Sequence, residues 1–195
     1  WDAHDKRYLD ALSGLFTVQL GHGRADLAQA AAVQAETLEY FPIWSYGHRN
    51  QQGLTFEPNT GQLWSTEHGP RGGDELNLIR RARNYGWPVI TYGINYDGTP
   101  ITDIQEKEGM EQPKHYWVPS IATCGVAVVT SDKYPAWKGN ILVAALAKQH
   151  IARVEMDGTS YVKEEKLLQD IGRVRQVAES PEGYIYAITE ATGLL

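Results

Sequence analysis

Short apolar runs separated by glycine turns recur along the 195-residue chain. Leu54-Thr55-Phe56 and Leu63-Trp64 flank the turn Pro58-Asn59-Thr60-Gly61, and Val177-Ala178 and Tyr184-Ile185-Tyr186 flank Pro181-Glu182-Gly183. Weaker copies are Val126-Ala127-Val128-Val129 with Trp137-Lys138-Gly139 and Ile141-Leu142-Val143, and Ser13-Gly14 with Leu15-Phe16-Thr17-Val18. Such runs, bounded by turn residues and rich in β-branched and aromatic side chains, predict paired strands. The turn glycines Gly14, Gly61, Gly139 and Gly183 lie 47, 78 and 44 residues apart. That spacing fits propeller blades of roughly 40–50 residues, with an insertion in the long middle interval. The expectation is an all-β chain, a partial β-propeller of about four blade-like units forming a single domain over 1–195.

Two stretches break the pattern. Asp97-Gly98-Thr99-Pro100 through Gly109-Met110-Glu111-Gln112-Pro113 is polar and turn-rich, and reads as the insertion, a loop of the kind that carries function or covers a site. Arg24 to Tyr40, with its alanines and Leu27, Val33 and Leu38, predicts a helix. No linker or low-complexity segment marks a second domain.

Composition narrows the partners. With 42% hydrophobic and 22% charged residues the chain is neither disordered nor fibrous. A net charge of −6 argues against nucleic acid or an anionic membrane as its main partner. Cys124, the lone cysteine, excludes an internal disulfide and a thiolate zinc cluster, and reads as a small buried apolar side chain. No run of 18 apolar residues and no signal-peptide pattern is present, so no membrane insertion is expected. A chain that begins at Trp1 reads as a mature or truncated product.

Four loops gather candidate chemistry. The block from Trp64 to Ile79 holds Gly69, Pro70, Gly72 and Gly73 beside Glu67, Asp74 and Glu75, then closes on Asn84-Tyr85-Gly86-Trp87-Pro88. Glycines and a proline force a loop whose carbonyls need partners, and carbonyls with nearby carboxylates suit a hard cation such as calcium. Trp44 to Asn50 ends in Arg49 and Asn50 after a glycine turn, and Lys148-Gln149-His150 follows the apolar run Ile141 to Leu146. Arg173 and Arg175, two apart, share one face of a strand. Two guanidiniums side by side call for an anion between them, which points to a polyanionic ligand. No phosphate loop or Gly-x-Gly-x-x-Gly is present, so that ligand need not be a nucleotide.

The segments Tyr46 to Leu54, Glu67 to Ile79 and Asn84 to Pro88 closely resemble the soluble pyrroloquinoline quinone (PQQ)-dependent aldose sugar dehydrogenases, the glucose/sorbosone dehydrogenase family. The match runs from about Ile43 to Glu190, with Tyr116-Trp117-Val118-Pro119-Ser120 and Arg173-Val174-Arg175 in the expected order. The resemblance implies a six-bladed β-propeller, of which this chain covers only part of the ring. It also implies PQQ over the central tunnel, Ca2+ bridging cofactor and protein, and oxidation of an aldose at C1 to the lactone.

By the same resemblance Arg49, Asn50, Ser120, Lys148, Arg173 and Arg175 bind the quinone, and the carbonyls of Gly69 and Pro70 hold the catalytic calcium. Glu75 and Tyr85 correspond to ligands of a second, structural calcium, to which Asn95 or Asp97 is a candidate addition. The family's histidine base has His4 as its nearest counterpart, without the flanking glycines and at shifted spacing, with His22 or no base at all as the alternatives. The partners implied are a small-molecule aldose and an external electron acceptor, with a homo-oligomer or missing blades completing the ring. Family members are exported, which implies a periplasmic or secreted location. Two other readings stand beside this one: a non-catalytic sugar- or partner-binding propeller fragment, and a calcium-dependent lactonase, which would have no use for the arginine pair.

Overall fold

A computed structural model describes residues 45–190 and the terminal strand 193–194. The chain divides into two compact units, Trp1–Pro42 and Ile43–Leu195. The expected strands around Gly14, the helix at 24–40, and His4 and His22 all lie outside the described residues.

The strands run β1 (Ser45–Tyr46), β2 (Gln51–Glu57), β3 (Gln62–Glu67), β4 (Asp74–Ile79), β5 (Arg83–Asn84) and β6 (His115–Trp117). They continue as β7 (Thr123–Val128), β8 (Ile141–Ala145), β9 (His150–Asp157), β10 (Ser160–Leu167), β11 (Val174–Glu179), β12 (Ile185–Thr189) and β13 (Gly193–Leu194). Three antiparallel sheets result, ordered β2-β3-β4-β6, β7-β8-β9-β10 and β11-β12-β13, and β1 pairs in parallel with β5 as a small ribbon. Among the described residues no helix is long and apolar enough to cross a membrane.

Each sheet begins with its innermost strand, and these strands, β2, β7 and β11, lie next to one another. That is the arrangement of successive propeller blades. Three of the four expected units are therefore present among the described residues, with the hairpin pairs in the places their turn glycines mark. The polar insertion at 97–113 forms no strand and joins β5 to β6 within the first blade.

Packing follows from the alternation of side chains along β8. Ile141, Val143 and Ala145 face the first blade, where they meet Trp64, Leu76, Leu78 and Trp117. Leu142 and Ala144 face the third, among Val174, Val177 and Ala187. A strand buried on both faces carries an unbroken apolar run, and all five residues of β8 are buried. The inner strands approach so closely that a Cβ on Gly53 would lie 2.5 Å from the carbonyl oxygen of Cys124, and only glycine fits there.

Because neighbouring strands alternate in direction, the starts of β2, β7 and β11 and the connections β3–β4 and β8–β9 share one end of the three blades. Hydrogen bonds join them there. The His68 amide donates to the Asn50 carbonyl, Thr123 Oγ1 to the Glu67 carbonyl, the Leu146 amide to Ala122 and the Ile171 amide to Gln149. Every sequence-predicted site residue within the described part lies at or near this end, except Glu75 and Tyr85, which sit one step deeper in the first blade.

Candidate functional site

The turn-rich block is shorter than its composition suggests, because Asp74 already begins β4. The true loop runs from His68 to Gly73, and it is tight: a Cβ on Gly69 would lie 2.1 Å from the Gly72 carbonyl oxygen. Arg49 closes over it. Its Nη1 donates to the carbonyls of His68 at 2.9 Å and Gly69 at 3.1 Å, and its guanidinium stands over the Trp87 ring. Beneath the loop the Gly69 amide donates to Asp74 Oδ1 at 3.0 Å. Pro70 is buried, while Asn50 is exposed and accepts a hydrogen bond from Gln52 at 2.9 Å.

Behind this loop Arg49, Glu67, His68, Gly69, Glu75, Tyr85 and Trp87 line a small cavity. Glu67 and Glu75 face each other across β3 and β4, and both accept from Asn77 Nδ2, at 2.9 Å and 3.0 Å. Burial pushes the Glu75 carboxyl up to about 8, reinforced by the negative charge of Glu67. Glu67 is also desolvated, yet His48 and the Arg49 amide hold it below the ordinary carboxylate range. His68 Nε2 and Asn77 Oδ1 are buried here without a hydrogen-bond partner. Two crowded carboxyls, orphaned polar atoms and carbonyl-rich walls fit a hard cation.

The donor set has limits. Among the described residues no three His, Cys, Asp or Glu side chains cluster as a metal site, so a cation here depends on carbonyl oxygens. Tyr85 can serve only through its backbone, since its hydroxyl donates to the Leu78 carbonyl at 2.6 Å and accepts from the Arg80 amide at 2.9 Å. Asn95 and Asp97 spend their hydrogen bonds within their own turn, on Thr99 and Pro100.

Ser120 lies on the connection from β6 to β7. Its hydroxyl donates to Asp74 Oδ2 at 2.6 Å and accepts from the Ala122 amide at 3.1 Å. Lys148 is exposed on the β8–β9 connection, beside Val118, Pro119 and Lys166. At the head of β11 the anion between Arg173 and Arg175 is supplied by the protein itself. Arg173 Nε donates to Glu190 Oε2 at 2.7 Å and Arg175 Nε to Glu190 Oε1 at 2.5 Å. All three side chains remain partly exposed, the arginines at 48% each, so a ligand can reach them.

Sequence reasoning missed Asp74 and Glu190. Nothing local marks either one: Asp74 is a carboxylate in an acid-rich loop, and Glu190 reaches the arginines only because β12 pairs with β11.

The family model described as Glucose / Sorbosone dehydrogenase matches residues 25–195. "Aldose sugar dehydrogenase YliI" of Escherichia coli (strain K12) is 42% identical over 151 residues, covering 76% of this chain and 41% of the relative. A solved structure titled "Crystal structure of glucose dehydrogenase" superposes with a TM-score of 0.74 at 44% identity, covering 78% of this chain and 45% of that one. The PQQ-bound form of aldose sugar dehydrogenase from Streptomyces coelicolor superposes at 0.59 with 29% identity, covering 77% and 40%. The chain thus spans less than half the length of the curated relatives it matches. A stretch of 46 residues, 24% of the chain, is also 67% identical to "Probable aminotransferase Rv3329" of Mycobacterium tuberculosis (strain ATCC 25618 / H37Rv), covering 10% of that protein. His4 and His22 precede the first residue that the dehydrogenase family model matches.

Proposed function

Because this chain belongs to the glucose/sorbosone dehydrogenase family, we propose that residues 43–195 supply part of the site of a PQQ- and calcium-dependent aldose dehydrogenase of the periplasm or cell exterior. The reaction is oxidation of the sugar at C1 to the lactone, with a histidine as general base and an external acceptor taking the electrons. The observation that carries this reading is the placement of Arg49, the Gly69–Pro70 loop, Ser120 and the Arg173–Arg175 pair at one end of three adjoining blades.

Bound there, the quinone would accept a hydride from the sugar, with calcium acting as a Lewis acid on its carbonyl. The chain's own residues have separate tasks. Arg173 and Arg175 meet carboxylate oxygens, and Glu190 keeps the two guanidiniums parallel until a ligand anion takes over. The Gly69 and Pro70 carbonyls offer oxygen to a cation, and Arg49 orients the Gly69 carbonyl from above. Glu75 and Tyr85 line the cavity that would hold the second cation, where positive charge would offset the crowding of Glu67 and Glu75. Asn50, Ser120 and Lys148 add polar contacts at the rim.

The base is assigned to His4 by resemblance, and its replacement by Ala should abolish sugar oxidation without weakening cofactor binding. The arginine pair gives the direct test. Replacing both Arg173 and Arg175 with Ala should weaken PQQ binding, read by fluorescence titration, by about 10–100-fold for the loss of two charge-assisted contacts. The melting temperature should stay within a few degrees, and an equal collapse of both would instead assign the arginines a structural role. A second reading, a non-catalytic propeller fragment that binds sugar or a partner, is favoured by Glu190 already pairing with both Arg173 and Arg175. Sugar binding without PQQ binding would select it.

A further inference from the structure

Asp74 is fully buried at the head of β4, and among the described residues no cation pairs with it. Such a carboxylate persists in a core only where its acceptor capacity is used. Here three donors meet it: the Gly69 amide at 3.0 Å, Ser120 Oγ at 2.6 Å and the Thr123 amide at 3.2 Å. They come from two separate segments, the β3–β4 loop and the β6–β7 connection.

The first of these bonds reaches further. The Gly69 N–H belongs to the His68–Gly69 peptide, and the carbonyl of that same peptide accepts Arg49 Nη1 at 2.9 Å. One peptide group is thus held between a guanidinium and a buried carboxylate, each polarising it in the sense that strengthens the other's hydrogen bond. Moving Asp74 would move Arg49 even though their side chains meet only through that peptide.

We infer that Asp74 is a positioning residue that fixes Arg49, the Gly69–Pro70 carbonyls and Ser120 as one unit for binding the cation and cofactor. Its meaning for binding rests on the proposed function; the clamp itself rests on the hydrogen bonds alone. Asp74→Asn keeps the shape but turns one acceptor into a donor; with the remaining oxygen held by its two donors, Ser120 Oγ and the Thr123 amide, the Gly69 amide loses its partner.

The test uses the full chain without quinone. Amide exchange at Gly69 should accelerate about tenfold or more in Asp74→Asn while β8 keeps its protection, and Ser120→Ala should leave Gly69 within about twofold. Calcium affinity of the same samples, by calorimetry, should fall about 10–100-fold in Asp74→Asn, as when the residues behind metal ligands are changed. Unchanged exchange at Gly69, or unchanged calcium affinity, overturns the inference. A parent chain that binds no calcium yet shows the exchange pattern overturns the metal part of the proposed function and leaves the clamp supported. Should Asp74→Asn fail to fold, Ser120→Ala decides: calcium affinity about threefold lower at an unchanged melting temperature supports the clamp, and no change overturns it.

Discussion

Three carboxylates at or near the same end of the blades behave differently once folded. Glu190 is exposed and answers two arginines, Asp74 is buried and answers only neutral donors, and Glu75 is buried beside a second acid. A fourth, Glu164, binds the first two blades together at their outer edge. Its Oε2 accepts Trp117 Nε1 at 2.6 Å and lies 3.3 Å from His115 Nε2. Burial alone would raise its carboxyl, but the bonds from His115 and Trp117 hold it below the ordinary value. A carboxylate whose folded pKa lies below its unfolded one stabilises the fold at pH above about 4.5, and that contribution disappears as pH falls through the lowered folded value. The expected outcome is that Glu164→Gln destabilises the chain more at pH 7 than at pH 3, measured by urea unfolding. A penalty equal at both pH values would assign Glu164 a packing role only. At this scale Arg173 and Arg175 were legible because a two-residue spacing fixes a strand face. Their partner was not, because a salt bridge across 15 residues depends on the register of β11 against β12, which no local pattern encodes.

Among the elements, β8 carries the packing of the blades. Its two faces feed two separate cores, so a truncation on one face should loosen one blade contact and spare the other. Leu142→Ala should cost about 2–5 kcal/mol in urea unfolding, the range for an aliphatic side chain removed from a close-packed core. Leu142 is only 1% exposed. Gly53→Ala tests the junction of the inner strands, where the clash is with backbone and cannot be relieved by a rotamer. It should destabilise by about 1–3 kcal/mol, and a neutral result would mean that β2 and β7 have room to separate. The hairpins β2–β3, β7–β8 and β11–β12 could be read from apolar runs flanking glycine turns. The β9–β10 hairpin could not, since β10 reads Ser-Tyr-Val-Lys-Glu-Glu-Lys-Leu and lies mostly exposed at the outer edge of its sheet, where burial imposes no alternation. The strand Asp74–Ile79 was hidden for the opposite reason: the glycines just before it draw the eye to a turn that ends sooner than the composition implies.

For the molecule as a whole, the family match and the three adjoining blades among the described residues agree on a propeller arc. The arc is legible from the motifs between Tyr46 and Arg175, and its three-blade extent follows from the spacing of Gly61, Gly139 and Gly183. His4, the proposed base, lies outside both the described residues and the family match. We propose that this arc binds the quinone through calcium and takes part in passing a sugar's hydride to it. An absorbance titration of the purified chain with PQQ and calcium, followed by an aldose, is the test. Saturable, calcium-dependent binding and sugar-dependent conversion of the quinone spectrum to its reduced form is the predicted result. Absence of saturable binding at any calcium concentration would contradict it.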